Sequence, residues 1–357
     1  MLASCVFLVA CGDDPGAPPG GATAAGGDPF ASAASVSVAV PETGRRYVRL
    51  SDASVVTPPD PSTSRDWDLA LQGYEVFTNS GPSGAGEGAA FGPLTKQECA
   101  GDRAPVVPFL WADRTGGAFL DWYAYDGASH LVYSRQHVYG VRAGDRAWKV
   151  QVIGYYGDQH GAPTPALYGV RYAELGGGDG AARTVQVDGT AGGVSAAPGA
   201  ASGCLDLATG AVAALTEGEA QASTGWHLCF RRDAIIVNGE AGGPGGVVAA
   251  DLSPGDASTE TLDRVKALTA EQQLARFDAV TREDVAAAAM RGDHVVSTFD
   301  REGWVDWTHG PPAPADAGWL VLDASGGNKS LVAFGAFEGS TASSPGTVAL
   351  RIKPVRD

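Results

Sequence analysis

Hydrophobic and polar residues alternate along the stretch that begins at Trp67, which is typical of a β-strand with one buried face. In WDLALQGYEVFTN, Trp67, Leu69 and Leu71 point to one side, and small or polar residues separate them. The stretch runs into SGPSGAGEG, and such a glycine cluster suits backbone at positive φ or the close approach of two backbones. The pattern therefore predicts strands that end in a glycine-rich turn.

The same pattern returns from Trp226, in WHLCFRRDAIIVNGEAGGPGG. Five pairs of identical residues keep one constant offset of 159 positions: Trp67 and Trp226, Leu69 and Leu228, Asn79 and Asn238, Gly84 and Gly243, Gly86 and Gly245. Chance rarely holds so many residues in one register without a gap. The sequence therefore predicts an internal duplication.

Further patterns fill in both copies. Two β-rich runs, residues 136–142 and 148–156, flank a Gly-Asp turn and predict a hairpin. Residues 258–291 are instead rich in helix formers, and Thr281 with Asp284 is typical of a helix start.

We therefore predict a mostly β protein with two antiparallel β domains. The first covers residues 35–178, and the second covers residues 181–357 and contains the helical insertion at 258–291. Fifty Gly and 22 Pro in 357 residues agree with strands joined by long turns.

The amino terminus, MLASCVFLVACGDD, resembles the signal peptide of bacterial lipoproteins. That resemblance implies a signal peptide at residues 1–11, with Cys11 as the lipidated residue, since the apolar run is too short to span a bilayer. Residues 12–34, which are rich in Gly, Ala and Pro, then form a flexible linker. The expected location is the bacterial cell envelope, lipid-anchored at the outer membrane or surface. The alternative is a chance apolar terminus in a cytosolic protein.

Charge and motifs exclude several classes of function. The formal net charge is −16, which opposes binding to nucleic acid or to anionic headgroups, so no nucleic-acid partner is expected. The sequence contains no GxSxG, HExxH or EF-hand pattern. We expect a protein that is not an enzyme and has no catalytic residues, although a glycosidase pair of carboxylates remains open.

Five cysteines are present, and three remain after a signal peptide with Cys5 and Cys11 is set aside. In an oxidising compartment we expect a disulfide between Cys204 and Cys229, which leaves Cys99 unpaired. The spacings match no zinc pattern, so the cysteines predict no metal site.

Two longer strings resemble the HmuY family of haem-binding bacterial lipoproteins. They are DWDLALQGYEVFTNSGPSGAGEGAAFG and DWYAYDGASHLVYSRQHVYGVRAGDRAWKVQVIGYY. The resemblance covers residues 38–175 and, more weakly, residues 203–354, so the chain looks like a tandem duplication of the family's module. It implies a mostly antiparallel β fold in which haem lies between projecting hairpins, held by axial His or Met. It also implies that haem passes to an outer-membrane receptor.

The histidines are the first candidates for axial ligands, because haem iron accepts a neutral imidazole. If the hairpin turn centres near Asp145, residues whose numbers sum to about 290 face each other. His130 then opposes His160, and nearby glycines predict that the strand ends splay to admit a planar ligand. His137 is the next candidate.

Tyr155 and Tyr156 are predicted to line the haem slot. The competing interpretation is that these histidines are ordinary surface residues. The sequence thus favours haem or porphyrin capture, and the alternative is a non-catalytic surface lipoprotein for adhesion or envelope organisation, without haem.

Overall fold

A computed structural model describes residues 27–177, 180–191, 197, 199–253, 260–308 and 310–357. Strands hold 42% of the residues and helices 9%, which confirms the predicted mostly β class. The predicted signal peptide, the lipidated Cys11 and residues 12–26 of the linker lie outside the described residues. In the part of the chain that is described, each helix is too short or too polar to cross a membrane.

The secondary structure alternates short strands with two long hairpins. The strands are β1 (Ala34–Ala39), β2 (Arg46–Arg49), β3 (Ser54–Val56), β4 (Leu69–Gln72), β5 (Glu75–Thr78), β6 (Ala89–Leu94), β7 (Arg114–Gly116), β8 (Tyr123–Asp126), β9 (Leu131–Ser134), β10 (Val138–Ala143), β11 (Arg146–Gln159), β12 (Ala162–Glu174), β13 (Arg183–Asp188), β14 (Ser202–Leu205), β15 (Val212–Leu215), β16 (Leu228–Arg231), β17 (Ala234–Val237), β18 (Val248–Asp251), β19 (His294–Val296), β20 (Val305–Asp306), β21 (Ala313–Pro314), β22 (Gly318–Leu322), β23 (Lys329–Glu338) and β24 (Thr347–Val355). The helices are α1 (Glu217–Gln221), α2 (Leu262–Lys266), α3 (Leu274–Ala279), α4 (Arg282–Ala287) and α5 (Thr298–Glu302), with a 3₁₀ turn at Gly81–Ser83.

Two five-stranded antiparallel sheets have the same plan but exchange strands between the sequence repeats. One sheet has the order β1-β24-β23-β22-β6, and the other has the order β13-β12-β11-β10-β18. The amino-terminal half of the first repeat therefore pairs with the carboxy-terminal half of the second repeat. The carboxy-terminal half of the first repeat pairs with the amino-terminal half of the second.

The hydrophobic cores follow this exchange. One core is built from residues between Phe119 and Ala249, and the other combines residues 38–90 with residues 299–352. We call these parts the central module (residues 117–293) and the terminal module (residues 27–116 and 294–357). The two five-stranded sheets and both of these cores cross the predicted boundaries at 35–178 and 181–357. The short β7–β19 pair belongs to the terminal module and lies where the chain passes between the two modules.

The two glycine segments have the same surroundings, as the duplication predicts. Trp67 and Trp226 are both buried, and each indole Nε1 donates to a backbone oxygen six residues earlier. Asn79 and Asn238 are buried, and each side chain bonds three backbone groups. A Cβ on Gly84 would lie 2.2 Å from the Asn79 Oδ1, so this turn needs glycine because of close approach.

Other local predictions are confirmed by the structure. Thr281 and Asp284 form a capping box at the start of α4, and the insertion packs on the central sheet through Phe277. Cys204 and Cys229 lie opposite each other on β14 and β16 and form the expected disulfide. Cys99 is buried and free.

The β10–β11 hairpin is present, but its predicted register is wrong by one residue. Val141 faces Trp148, because Gly144 and Asp145 form a two-residue turn and Ala143 lies directly opposite Arg146. The ladder also stops before His130: the backbone of Gln136 has a φ of 56°, and this kink separates β10 from β9. His130 therefore does not oppose His160 across one ladder.

Candidate functional site

His130 lies in the turn of the β8–β9 hairpin, on the surface of the central module. Its φ is 59°, and its backbone N–H donates to the Asp126 carbonyl at 2.7 Å, which closes the turn. The imidazole Nδ1 lies 2.7 Å from the Tyr125 hydroxyl. Tyr125 and Leu131 beside it are 54% and 40% exposed. This hairpin thus presents one imidazole together with apolar surface.

His160 occupies the turn of a different hairpin, the long β11–β12 pair. Gln159 pairs with Ala162, so His160 and Gly161 are the two turn residues, with φ values of 58° and 82°. The side chain of His160 is exposed. The strands do not splay at Gly157, which faces Thr164 in the ladder. The second candidate is therefore held at the tip of a continuous hairpin.

Two hydrogen bonds join these hairpins side by side. The Val132 backbone N–H donates to the Tyr156 hydroxyl at 3.0 Å, and the Ser134 hydroxyl donates to the Val152 carbonyl at 2.5 Å. Because β9 and β11 run in opposite directions through these contacts, their turns lie at the same end of the module. His130 and His160 are thus brought to one end by two neighbouring hairpins rather than by one ladder.

His137 is unsuited to bind iron in this geometry. It is 2% exposed, its Nδ1 lies 2.5 Å from the Asp251 carboxylate, and its Nε2 lies 3.2 Å from the Glu260 carboxylate. Burial favours the neutral ring, but the two carboxylates favour the cation, and the net effect raises the pKa of His137. Arg135 also donates to Glu260, at 3.1 Å. His137 therefore belongs to a buried ionic cluster that holds the insertion against β10.

The two tyrosines predicted to line the slot have different places. Tyr155 is 6% exposed and packs in the central core against Trp122 and Tyr168, with ring centroids 5.6 Å and 5.3 Å away. It lies in the core because β11 alternates, which turns Tyr155 inward and Tyr156 outward. Only Tyr156, which is half-buried and bonded to Val132, lies next to the histidine hairpins.

A cleft of about 320 Å³ adjoins the His130 hairpin. Its lining includes Tyr125, Trp111 and Leu262, together with the charged side chains of Arg135 and Glu260. A volume of this size is at the lower end of the range for small-molecule sites. The lining of the cleft is mixed, with charged and apolar side chains beside the first candidate ligand.

A second cavity, of about 340 Å³, lies where the modules meet and is lined partly by Asp113, Arg114 and Arg231. Its lining includes Cys229 of the disulfide but none of the predicted haem-binding residues. Within the described ranges, no cluster of three or more His, Cys, Asp or Glu side chains has the geometry to hold a bare metal ion.

The sequence did not predict the contacts that position the β8–β9 hairpin, which carries His130. Lys266 of the insertion contacts Asp126 at 2.8 Å, and this ion pair lowers the pKa of Asp126. The Lys266 ammonium also lies 5.4 Å from the centre of the Tyr133 ring. These residues come from different sequence repeats. Pairs so distant in the chain carry no local signal, so only the fold brings them together.

Comparison with known proteins adds no family to these observations. No protein-family model matches the chain, and no curated protein matches it.

Proposed function

We propose that the protein is a non-catalytic, exported lipoprotein that captures haem or a related porphyrin between the β8–β9 and β11–β12 hairpins. His130 and His160 are the proposed axial ligands. The resemblance to HmuY-family lipoproteins in the sequence supports the same function. In this proposal the protein is anchored to the cell envelope through Cys11 and passes haem to an outer-membrane receptor.

One observation carries the proposal: two exposed imidazoles lie in the turns of two hairpins that are bonded side by side. An iron-bound imidazole usually engages its second nitrogen in a hydrogen bond, which fixes the ring orientation. The Tyr125 hydroxyl bonds Nδ1 of His130 in this way, which would leave Nε2 free to bind iron. Exposed Tyr125 and Leu131 would contact the porphyrin ring.

The test is a titration of residues 27–357 with hemin, followed by the Soret band. We expect a saturable red shift at one haem per chain. Replacing both histidines, His130→Ala and His160→Ala, is expected to abolish the shift, and each single change is expected to weaken binding by tenfold or more, about 1.4 kcal/mol. Tyr125→Phe is expected to weaken binding less, because only the supporting hydrogen bond is lost.

His294→Gln is the matched control, because it removes an imidazole that is part of β19 and lies outside both hairpins. It is expected to leave the titration unchanged. An unshifted Soret band in the unaltered protein would contradict haem capture.

The second candidate is a non-catalytic surface lipoprotein for adhesion or envelope organisation, with no haem bound. The observation that favours it is a set of exposed apolar side chains outside the histidine hairpins, among them Val106 and Phe109. A folded protein that does not bind hemin in the titration would support this candidate.

A further inference from the structure

The segment at residues 104–111, APVVPFLW, exposes three large apolar side chains. Val106, Phe109 and Trp111 are 103%, 48% and 38% exposed. The segment contains no charged residue. Scattered apolar residues on a surface need no explanation, but a contiguous apolar patch marks a surface that contacts something.

The exposure does not come from a loose loop, because the other side chains of the segment are anchored. Ala104, Val107 and Leu110 pack against a buried cluster that contains Phe30. The Ala104 backbone N–H donates to the Arg356 carbonyl at 2.7 Å, and Trp111 exchanges two backbone hydrogen bonds with Ala90, both at 2.9 Å. Inward residues therefore fix the segment and turn Val106 and Phe109 outward.

The patch lies beside the point where the chain leaves towards its proposed anchor. Asp28 is paired with Arg351 at 2.5 Å, and the Lys353 ammonium donates to the Pro29 carbonyl at 3.0 Å. Phe30 shares its cluster with Val107 and Leu110. The start of the described chain is thus fixed next to the apolar patch.

Only residues 12–26 separate this point from Cys11, and they are rich in Gly, Ala and Pro. Fifteen residues span at most about 50 Å even when fully extended. A lipid on Cys11 would therefore keep the patch within reach of the bilayer surface. This step depends on the lipid anchor of the proposed function, but not on haem.

We propose that residues 104–111 form a membrane-contact surface, which places Val106, Phe109 and Trp111 in the interfacial layer of the bilayer that anchors the chain. The amphipathic ring of Trp is favoured at this depth. Since the chain carries a formal net charge of −16 and the segment has no basic residue, contact rests on apolar insertion rather than on anionic headgroups. The target is a neutral phospholipid surface.

The test uses residues 27–357 with an amino-terminal hexahistidine tag, bound to phosphatidylcholine vesicles that contain a nickel-chelating lipid. This tether replaces Cys11, so failure of the natural lipidation does not affect the result. The phosphatidylcholine carries bromine on its acyl chains, which quenches only tryptophans that enter the bilayer. We expect quenching of the tethered protein, and little change when the ionic strength is raised after tethering.

Trp111→Phe is expected to remove most of this quenching, and Val106→Ser with Phe109→Ser to reduce it by half or more. Trp307 is the matched control, since it is 56% exposed but lies outside the segment. Trp307→Phe is expected to leave the quenching unchanged. Circular dichroism would verify that each variant is folded.

Two results would overturn the proposal. The first is absence of quenching in the tethered protein, which would leave the patch for a protein partner. The second is quenching that persists fully in the Trp111→Phe variant, which would assign the contact to another face. Hemin binding is measured separately, without vesicles, and includes the Trp111→Phe variant because Trp111 also lines the cleft beside the His130 hairpin.

Discussion

The central and terminal modules share one strand order but differ in the parts that project from it. In the central module, β11 and β12 are 14 and 13 residues long, whereas their counterparts β23 and β24 are 10 and 9 residues long. His160 lies in the turn of this longer hairpin of the central module, and His130 lies in the β8–β9 hairpin beside it. The difference indicates that the two five-stranded sheets act as a common scaffold. Both candidate histidines lie on projecting hairpins that belong to the first sequence repeat.

At one equivalent position, the two modules use different side chains to accept a hydrogen bond from the same backbone N–H group. Asp68 precedes β4, and its carboxylate accepts a hydrogen bond from the Leu50 backbone N–H at 2.7 Å. His227 precedes β16 and accepts from the Leu207 backbone N–H at 3.3 Å. Burial lowers the pKa of His227, which favours the neutral form that can accept. Each module thus satisfies the same backbone group with a different side chain.

The largest expected effect concerns the exchange of strands between the repeats. A protease site inserted between Gly177 and Gly180 would separate the sequence repeats after cleavage. We expect the two fragments to remain together as one particle, because each five-stranded sheet contains strands from both. Size-exclusion chromatography before and after cleavage measures this.

The disulfide does not affect that result, because Cys204 and Cys229 both belong to the second fragment. Cleaved protein in urea supplies the control, since the fragments must separate when the sheets unfold. Fragments that separate without urea would show that each repeat forms its own sheets, contrary to the exchanged pairing.

The second prediction compares the buried asparagines of the two glycine segments. Asn79→Ala and Asn238→Ala each remove three hydrogen bonds to backbone groups that become unsatisfied in the interior. We expect each change to lower the free energy of unfolding by about 3 kcal/mol, and the two losses to be similar. Urea unfolding measures both.

Asn328→Ala is the control, because Asn328 is exposed and bonds only side-chain and backbone groups of Asp323 in the described structure. It is expected to cost less than about 1 kcal/mol. A large loss of unfolding free energy in one variant and a negligible loss in the other would contradict this prediction. The two glycine segments would then differ in stability despite their matched contacts.

Local patterns in the sequence predicted the local structure well. The alternation after Trp67, the matched residues after Trp226 and the Thr281 cap each concern neighbours in the chain, where spacing determines which side chains meet. The exchange of strands was not predictable in this way. Equivalent strands of the two repeats have the same alternating pattern. A strand could therefore pair equally well within its own repeat or with the equivalent strand of the other repeat.

The candidate site was predicted in part, for the same reason. The sequence singled out His130 and His160, but it placed them across one ladder, and the kink at Gln136 carries no strong local signal. The ionic partners of His137 come from β18 and from the insertion, more than 100 residues away. Long-range charge pairs of this kind are set by the fold rather than by spacing.

The smallest expected effect concerns the pH dependence of stability. It compares two equivalent buried carboxyl groups, those of Asp113 before β7 and Asp293 before β19. Burial raises the pKa of Asp113 to about 6, although Thr78 and Ser83 donate hydrogen bonds to it. Burial raises the pKa of Asp293 to about 7, and the nearby Glu240 carboxylate raises it further. The Val237 backbone N–H donates to Oδ2 and offsets only part of this rise, while Oδ1 has no hydrogen-bond partner among the described residues. Both values lie above the unfolded value of 3.8, so the folded state binds more protons.

The contribution of these two groups to the free energy of unfolding is therefore largest below pH 4, and it declines as the pH rises towards 7. Asp293→Asn removes the cost of ionising a buried group, so we expect it to stabilise the protein by about 2 kcal/mol at pH 8 and to flatten this decline. Asp113→Asn is expected to gain less or to destabilise, because it disrupts hydrogen bonds from Thr78 and Ser83. Urea unfolding at pH 5 and pH 8 measures both variants, and an Asp293→Asn protein with the pH dependence of the unaltered chain would contradict the assignment.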